Sequence, residues 1–286
     1  MNSGIYTTLI ESGQALCLPS VTYFDVTSLN GRLYRVFIRL PLCLQIGQKL
    51  NALVLLDGNH SIQLAAARMR NIESRAQITG AEPCLLIGVG YVNDDGYCPQ
   101  SRARDYLPAL PNEFSLSEFE SGEADRFLNF LENELLPAVK QRFQIDFNRL
   151  GLYGHSYGGL FTLFALHKKP SLFSDYFAIS PSVWWAEGWL VEKLKQTSLA
   201  NISAGVLVAV GSLEKPLPSD DKTRFEKLLH RNMIGRAQEV AQVLQRKSHG
   251  GFMCDYKLIA DMDHGTVVFP AICHSLQRMT QQEIYA

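Results

Sequence analysis

Several patterns that would suggest other functions are missing from this sequence. No apolar run is long enough to cross a bilayer as a helix. The 27 basic and 28 acidic side chains give a formal net charge of -1, and the basic residues form no stripe. We therefore expect neither a nucleic acid nor a membrane as a partner. The chain also lacks G-x-G-x-x-G, P-loop and H-E-x-x-H motifs, which excludes the usual signatures of nucleotide-binding proteins and zinc peptidases.

The cysteines are few and are not arranged as metal ligands. None of the six forms a C-x-x-C pair or a zinc-finger spacing. Cys84 and Cys273 lie in apolar segments, which predicts buried thiols and a reducing compartment. A disulfide between Cys84 and Cys98 stays open as an alternative. The first residues, 1–6, lack the charged and apolar regions of a signal peptide, so we expect a cytoplasmic protein.

The sequence does contain the composition and the alternation of an α/β protein. Hydrophobic residues make up 47% and charged residues 19% of the 286 positions, as in an ordinary globular chain. Residues 53–56 and 85–89 are continuous apolar runs, typical of parallel strands that are covered on both faces. Strands alternating with helices predict a mostly parallel sheet with helices on both faces. We expect one domain spanning residues 1–286.

The remaining predicted elements continue this alternation. The further predicted strands are residues 22–28, 33–40, 176–179, 206–210 and 256–260. The predicted helices are residues 61–78, 124–143 and 267–279. Asn30-Gly31 is a hairpin signal between the first two strands. Residues 92–122 are interpreted as an irregular loop, and residues 215–249 as a polar, mainly helical excursion above the carboxyl ends of the strands.

A G-x-S-x-G motif at residues 154–158 is the most informative stretch of the chain. The apolar run before it predicts a buried strand, and residues 159–166 predict a buried helix. A serine between such a strand and helix is the nucleophile elbow of the α/β-hydrolases. We interpret Ser156 as the nucleophile. The flanking glycines are expected because side chains there would collide with the packed strand and helix. A plain Gly/Ser turn is the alternative.

A serine nucleophile needs a base, which in this fold follows it along the chain. His264 lies after the last predicted strand and before the last predicted helix, which is the position the base should occupy. A structural histidine is the alternative. His155 lies next to Ser156, but its side chain should point away from the nucleophile, so we interpret it as structural or pocket-lining. The other histidines after the motif fall in helices or in other loops.

The acid that orients the base should follow a later strand. Glu214 comes just after the predicted strand 206–210, where its carboxylate could orient His264 and stabilise the imidazolium. Asp261 and Asp263 compete because they are close to the base in sequence, although adjacent side chains rarely point at one another. A solvated carboxylate paired with Lys215 is the remaining interpretation of Glu214.

An oxyanion hole needs two N–H donors. One should be the backbone N–H of Tyr157, the residue after the nucleophile. The second should come from the loop after an early strand, and Asp57-Gly58-Asn59 follows the strand 53–56. We choose Asn59 as this donor; a simple glycine-containing turn is the alternative.

Six motifs together carry a family resemblance. They are Leu56-Asp57-Gly58-Asn59, Gly88-Val89-Gly90-Tyr91, Arg102-Ala103-Arg104-Asp105-Tyr106, Ala124-Asp125-Arg126-Phe127-Leu128, Gly154-His155-Ser156-Tyr157-Gly158-Gly159 and Ile179-Ser180-Pro181-Ser182-Val183-Trp184-Trp185. In this order they resemble the esterase-D-like α/β-hydrolases, in particular the branch of trilactone-siderophore (enterobactin and salmochelin) esterases. The resemblance extends from about Tyr34 to His264.

The resemblance implies hydrolysis of a small-molecule carboxylic ester without a cofactor or a metal, with ferric catecholate siderophore trilactones among the substrates. The resemblance to siderophore esterases also implies that the carboxylate partner of the catalytic histidine is weak or absent. Glu214, in contrast, is well placed in the sequence for a full triad. The site is therefore expected to be either a Ser-His-acid triad, which would suit a more general esterase, or a Ser-His dyad.

Two pairs of side chains are candidates for substrate binding. Arg102 and Arg104 lie in a loop expected near the strand ends, where a guanidinium could bind catecholate or carboxylate oxygens or stack on a ring. Pairing that only stabilises the fold, such as Arg104 with Asp105, is equally compatible with the sequence. Of Trp184 and Trp185, one should pack in the core and one should line the acyl pocket.

Two other functions remain to be weighed against the siderophore esterase. The first is a carboxylesterase or thioesterase of the same superfamily that acts on another small acyl group. The second is a non-catalytic binding module. Proteins of that kind usually lose the serine, the base or the glycines of the motif, and all of these are present here.

Overall fold

One sheet organises the part of the chain that the structure, a computed structural model, describes: residues 20–42, 44–92, 97–110, 122–216 and 221–281. Its strands are β1 (Val21–Thr27), β2 (Leu33–Arg39), β3 (Lys49–Leu56), β4 (Cys84–Gly90), β5 (Asp146–His155), β6 (Asp175–Ile179), β7 (Ala204–Gly211) and β8 (Phe252–Ile259). They lie in the order β1-β2-β4-β3-β5-β6-β7-β8. β2 is antiparallel to both of its neighbours, and all other pairs are parallel. This is the mostly parallel sheet that the sequence predicts.

Helices cover both faces of the sheet. They are α1 (Gly58–Glu73), α2 (Ala76–Thr79), α3 (Pro99–Tyr106), α4 (Ala124–Phe130), α5 (Leu136–Phe143), α6 (Tyr157–Lys168), α7 (Trp189–Gln196), α8 (Lys222–Arg231), α9 (Met233–Gln245) and α10 (Val268–Thr280). A π-helical turn at Leu131–Leu135 joins α4 to α5. Within the described ranges, none of these helices has the length and apolar character needed to cross a membrane.

The central strands contribute to two hydrophobic cores, one on each face. In β3, Leu53 and Leu55 belong to the core that includes residues of α1 and α10. Val54 and Leu56 belong to the other core, together with much of α6. Because successive side chains of a strand point to opposite faces, burial on both faces requires a continuous apolar run. This explains why the run at residues 53–56 has no polar alternation.

Two predicted helix boundaries differ from the observed ones. The helix predicted at residues 61–78 begins at Gly58 and ends at Glu73, and the short helix α2 follows it. It begins early because Asp57 has left-handed backbone angles (φ 52°, ψ 49°), which turn the chain into a helix directly after β3. It ends early because Arg75 leaves the helical region at φ -119° and ψ 6°.

The predicted irregular loop at residues 92–122 contains a helix, whereas the excursion at residues 215–249 is mainly helical, as the sequence predicts. The region 92–122 contains α3, a polar helix in which only Asp105 and Tyr106 are buried, so its hydrophobic pattern is weak. The region 215–249 contains α8 and also α9, whose buried face packs against β7 and β8. The rest of these regions, residues 93–96, 111–121 and 217–220, lies outside the described residues.

An ion cluster closes the sheet at the end opposite to the G-x-S-x-G motif. Asp175, the first residue of β6, is buried and accepts hydrogen bonds from Arg149 Nη2 (2.8 Å) and Arg278 Nε (3.0 Å). The hydroxyl of Ser174 donates a third hydrogen bond at 2.9 Å. The carboxylate therefore ties the chain before β6 and the end of α10 to the amino end of β5.

We predict that Asp175→Ala destabilises the protein by about 3–5 kcal/mol, because it leaves two arginines without their buried carboxylate. The measurement is urea unfolding followed by circular dichroism. Asp255→Ala is the matched control, since Asp255 also pairs with Arg278 but its side chain is 58% exposed. This control should lose at most about 1 kcal/mol. Equal losses in the two variants would contradict the assigned importance of the buried cluster.

Candidate active site

Ser156 occupies a strained turn between β5 and α6. Its backbone angles, φ 60° and ψ -116°, are rare for a residue with a side chain. A Cβ at Gly154 would lie 2.1 Å from the carbonyl oxygen of Gly158, and one at Gly159 would lie 2.8 Å from that of Ile179. These two glycines allow the strand and the helix to approach closely enough to form the turn.

The space around Gly158, the second flanking glycine of the motif, is less restricted than the sequence predicts. A Cβ at Gly158 would come no closer than 3.5 Å to its neighbours, the nearest being a methyl group of Leu56. The expectation that both flanking glycines avoid collisions is therefore wrong for Gly158. The collision is avoided instead at Gly159, one residue beyond the motif.

Three predicted residues form a continuous line of hydrogen bonds. His264 Nε2 lies 3.1 Å from Ser156 Oγ, and His264 Nδ1 lies 2.6 Å from Glu214 Oε2. A carboxylate can only accept, so Nδ1 carries the proton and Nε2 faces the serine as an acceptor. The geometry is therefore that of a hydroxyl whose proton can pass to an oriented imidazole.

Glu214 is held by more than the histidine. Its side chain is 1% exposed, and its Oε1 accepts hydrogen bonds from Ser180 Oγ (2.5 Å) and from the N–H of Gly211 (2.8 Å). These bonds leave Oε2 for His264. Sequence reasoning missed Ser180, although it belongs to the Ser180-Pro181-Ser182 motif, because its role depends on a residue that follows a different strand.

The two competing aspartates point elsewhere. Asp263 Oδ1 accepts hydrogen bonds from the N–H groups of Gly265 and Thr266 and from the Thr266 hydroxyl, at 2.8–2.9 Å. Hydrogen bonds from Thr266 and Gly265 lower the pKa of Asp263. Asp263 thus shapes the loop that carries His264. Asp261 is exposed, and its N–H donates to Ser212 Oγ at 2.8 Å.

The ring of His155 packs against the ring of His264. Its ring is buried, and the centroids of the His155 and His264 rings lie 4.6 Å apart. Burial lowers the pKa of His155 well below its ordinary value, so the ring stays neutral beside His264. The structure therefore places His155 in contact with the ring of the candidate base.

The two predicted oxyanion donors lie at the beginnings of helices. Tyr157 is the first residue of α6, and Asn59 is the second residue of α1. N–H groups in a first helical turn have no acceptor within their own helix. The side-chain amide of Asn59 exchanges two hydrogen bonds with the backbone of Tyr91, at 2.8 and 2.9 Å. It therefore fixes α1 against the end of β4, and the assignment of Asn59 as an oxyanion donor stays a prediction.

A cleft of about 770 Å³ opens in front of Ser156. Its lining includes three basic residues, Arg102, Lys215 and Arg231, and two acidic ones, Glu214 and Asp263. The guanidinium of Arg231 lies 4.7 Å from the ring centroid of Trp184, which also lines the cleft. Sequence reasoning missed Lys215 and Arg231 as lining residues, because the excursion that carries them has no local motif.

Comparison with known proteins identifies the family. Residues 27–271 match the model of the Esterase family, whose description is "Putative esterase". The chain belongs to the Esterase family. It is an ester hydrolase, and the resemblance inferred from the six motifs is confirmed.

Individual relatives agree with this assignment. A siderophore enterobactin esterase of Emericella nidulans is 32% identical over 250 residues, which cover 79% of this chain and 80% of that protein. The ferri-bacillibactin esterase BesA of Bacillus subtilis is 31% identical over 215 residues, covering 71% and 74%. Among solved structures, siderophore hydrolase EstB from Aspergillus nidulans superposes with a TM-score of 0.82 at 23% identity, covering 95% of this chain and 99% of that chain. This last likeness confirms the predicted α/β-hydrolase fold.

Within this esterase fold, Arg102 forms a buried ion pair. Its Nε and Nη2 bind the two carboxylate oxygens of Asp57 at 2.7 and 3.2 Å, and Nη2 also donates to the carbonyl oxygen of His155 at 3.3 Å. The side chain thereby connects the turn after β3 to the nucleophile elbow. Arg102 also lines the cleft. The structure is thus compatible with both of its predicted roles.

The structure does not place Arg104 or Trp185 in the cleft. Arg104 binds Asp105 at 2.6 and 2.7 Å, which is the fold-stabilising alternative that the sequence left open. Trp185 is 1% exposed and packs in the core, whereas its neighbour Trp184 lines the cleft. Both residues are therefore removed from the candidates for substrate binding. Within the described part of the chain, no cluster of His, Cys, Asp and Glu side chains could hold a metal ion.

We predict that Arg102→Met destabilises the enzyme in a pH-dependent manner. Burial raises the pKa of Asp57, and Arg102 acts against this rise. Without the arginine, the folded-state pKa should rise further above the unfolded value. The loss should then be small at acidic pH, where the carboxyl is protonated in both states. It should grow as the pH rises through the folded-state pKa, to about 3–5 kcal/mol.

Urea unfolding at a series of pH values from acidic to mildly alkaline measures this effect. The double variant Arg102→Met/Asp57→Asn is the control, because it removes the titrating carboxyl and should lose the added pH dependence. A loss in Arg102→Met that is the same at every pH would show that packing, and not the charge of Asp57, accounts for the destabilisation.

Proposed function

We propose that this esterase opens ferric catecholate siderophore trilactones by a serine acyl-enzyme mechanism. Ser156 acts as the nucleophile, His264 as the general base and acid, and Glu214 as the residue that orients His264. The observation that carries the proposal is the unbroken line of hydrogen bonds from Ser156 through His264 to the buried Glu214, with lengths of 3.1 and 2.6 Å.

The proposed chemistry follows from the hydrogen bonds that connect Ser156, His264 and Glu214. Ser156 Oγ attacks the ester carbonyl carbon while its proton passes to His264 Nε2. The negative charge that develops on the carbonyl oxygen is stabilised by the backbone N–H groups of Tyr157 and Asn59. Collapse of the tetrahedral intermediate expels the alcohol, which takes the proton from His264. A water molecule then attacks the acyl carbon and gives a proton to His264. The bond between the acyl carbon and Ser156 Oγ breaks, Oγ takes the proton back from His264, and the free acid leaves.

The substrate class rests on charge, shape and relatives. A ferric catecholate complex is anionic, because the deprotonated catechol oxygens outweigh the charge of the iron. Three basic side chains, those of Arg102, Lys215 and Arg231, line the cleft together with the carboxylates of Glu214 and Asp263. The Trp184 ring offers an apolar surface beside Arg231. The relatives in Emericella nidulans and Bacillus subtilis are an enterobactin esterase and a ferri-bacillibactin esterase.

We place this reaction in the cytoplasm, where an imported iron complex would be opened. The thiols of Cys84, Cys98, Cys254 and Cys273 are free, which suits a reducing compartment. Cys17 and Cys43 lie outside the described residues.

A carboxylesterase or thioesterase acting on a smaller acyl group is the second candidate. The observation that favours it is the firmly held Glu214, which completes a conventional triad with Ser156 and His264. A panel of aryl esters of increasing acyl length, assayed beside a ferric catecholate trilactone, separates the two. A higher kcat/KM for the trilactone supports the siderophore esterase, and a higher value for a short aryl ester supports the alternative.

We predict that Ser156→Ala lowers trilactone hydrolysis by about 10³-fold or more, because the nucleophile is lost while binding and the oxyanion donors remain. Hydrolysis is followed by chromatography of the linear products. A fluorophosphonate should label Ser156 in the wild type, as located by peptide mass spectrometry, and should not label the variant. Near-normal turnover by folded Ser156→Ala protein would exclude the serine mechanism.

We also predict that Glu214→Gln lowers kcat by about 10²–10⁴-fold, because an amide no longer orients and charge-stabilises His264. Ser180→Ala should have a smaller effect of about 10-fold, since it removes one of the donors that hold Glu214. Asp263→Asn is the matched control and should be milder than Glu214→Gln. An unchanged kcat in folded Glu214→Gln would show that the acid lies elsewhere or that the site is a Ser-His dyad.

A further inference from the structure

Ser182 contacts the candidate nucleophile twice. Its Oγ lies 3.3 Å from Ser156 Oγ, and its backbone N–H donates to the carbonyl oxygen of Ser156 at 3.1 Å. The residue follows Pro181 at the end of β6, and its surface is 2% exposed at the floor of the cleft. Among the described residues, Ser156 Oγ is the hydrogen-bond partner recorded for the Ser182 hydroxyl.

The direction of the hydrogen bond between the two hydroxyls follows from counting protons. His264 Nδ1 donates to Glu214, so in the neutral ring, which is the form that can act as a base, His264 Nε2 accepts. The proton of Ser156 is therefore directed at His264. Ser156 Oγ has a lone pair left but no second proton, and Ser182 must donate to it.

We propose that Ser182 is a catalytic residue that accelerates deacylation by donating a hydrogen bond to Ser156 Oγ as that oxygen leaves the acyl group. The proposal rests on the acyl-enzyme mechanism proposed above. In this step the bond between the acyl carbon and Ser156 Oγ breaks, and its electron pair passes to Oγ. Oγ then takes the proton from His264 Nε2. Ser182 keeps its own proton and stabilises the charge that develops on Oγ.

The two halves of the reaction should depend on Ser182 differently. Only an interaction that is stronger in the transition state than in the preceding ground state raises a rate. Before acylation, Ser156 is a free hydroxyl and already accepts the hydrogen bond from Ser182. In the acyl-enzyme, the same oxygen belongs to an ester and accepts weakly. The hydrogen bond therefore strengthens on the way to the transition state mainly during deacylation.

Stopped-flow kinetics with p-nitrophenyl acetate test this asymmetry, because an activated aryl ester acylates quickly and exposes deacylation. We expect Ser182→Ala to slow deacylation by about 5–10-fold, the value of one neutral hydrogen bond. The steady-state kcat and KM should fall together, so that kcat/KM stays within about 2-fold of the wild type. The burst of p-nitrophenolate should approach one equivalent per enzyme.

Two further variants complete the design. Ser275→Ala is the matched control, because it removes an equally buried hydroxyl that donates to the carbonyl oxygen of Ala271 at 2.9 Å, in α10. It should keep wild-type values of both constants. Ser182→Cys keeps nearly the same volume but has a weaker donor, so its deacylation should slow in the same direction. This variant replaces Ser182→Ala if the alanine protein does not fold.

The outcomes separate this proposal from the proposed function. A fall in kcat/KM equal to the fall in kcat, without a larger burst, would place the effect in acylation or in folding and would overturn the role of Ser182. Unchanged kinetics in folded Ser182→Ala would do the same. Fluorophosphonate labelling of Ser156 in each variant is the independent readout. If the wild type were not labelled there, the acyl-enzyme mechanism itself would fail.

Discussion

The active site depends on the pairing of four consecutive parallel strands. β5, β6, β7 and β8 are neighbours in the sheet in the same order as in the chain. Their carboxyl ends therefore lie side by side, at the spacing of about 4.8 Å that separates adjacent strands. Ser156 follows β5, Ser180 and Ser182 follow β6, Glu214 follows β7 and His264 follows β8. Each strand end supplies a group that bonds to a group from another strand end, so that no local segment forms the site alone.

This arrangement explains what the sequence could and could not predict. Ser156, His264 and Glu214 could be chosen as candidates from the sequence because each stands at a recognisable point, after an apolar run and before a helix or turn. Ser180 stands at a similar point, but its importance comes from the distance of 2.5 Å to a carboxylate that follows another strand. α3 was missed for another reason: its eight residues are mostly polar and its few buried groups show no periodicity.

The roles of Arg102 and Arg104 could likewise not be predicted from the sequence alone. The sequence could not decide between a ligand for substrate and a structural ion pair, because either role requires only a guanidinium near the strand ends. The structure distinguishes Arg102 from Arg104 by the position of the aspartate that each one binds. Asp57 lies in the turn between β3 and α1, whereas Asp105 belongs to the same helix as Arg104. Although Arg102 and Arg104 lie only two residues apart on α3, they therefore stabilise different parts of the molecule.

Glu214 and His264, which bond to each other beside Ser156, are buried to very different extents. This difference has a consequence for the shape of a substrate. The side chain of Glu214 is 1% exposed, whereas that of His264 is 46% exposed. The carbonyl carbon that Ser156 attacks therefore meets the imidazole on the open side of the cleft. A rigid, bulky substrate could stay largely in water while one of its ester bonds reaches Ser156. Such an opening would discriminate between substrates by how accessible the ester bond is more than by the size of the rest of the molecule.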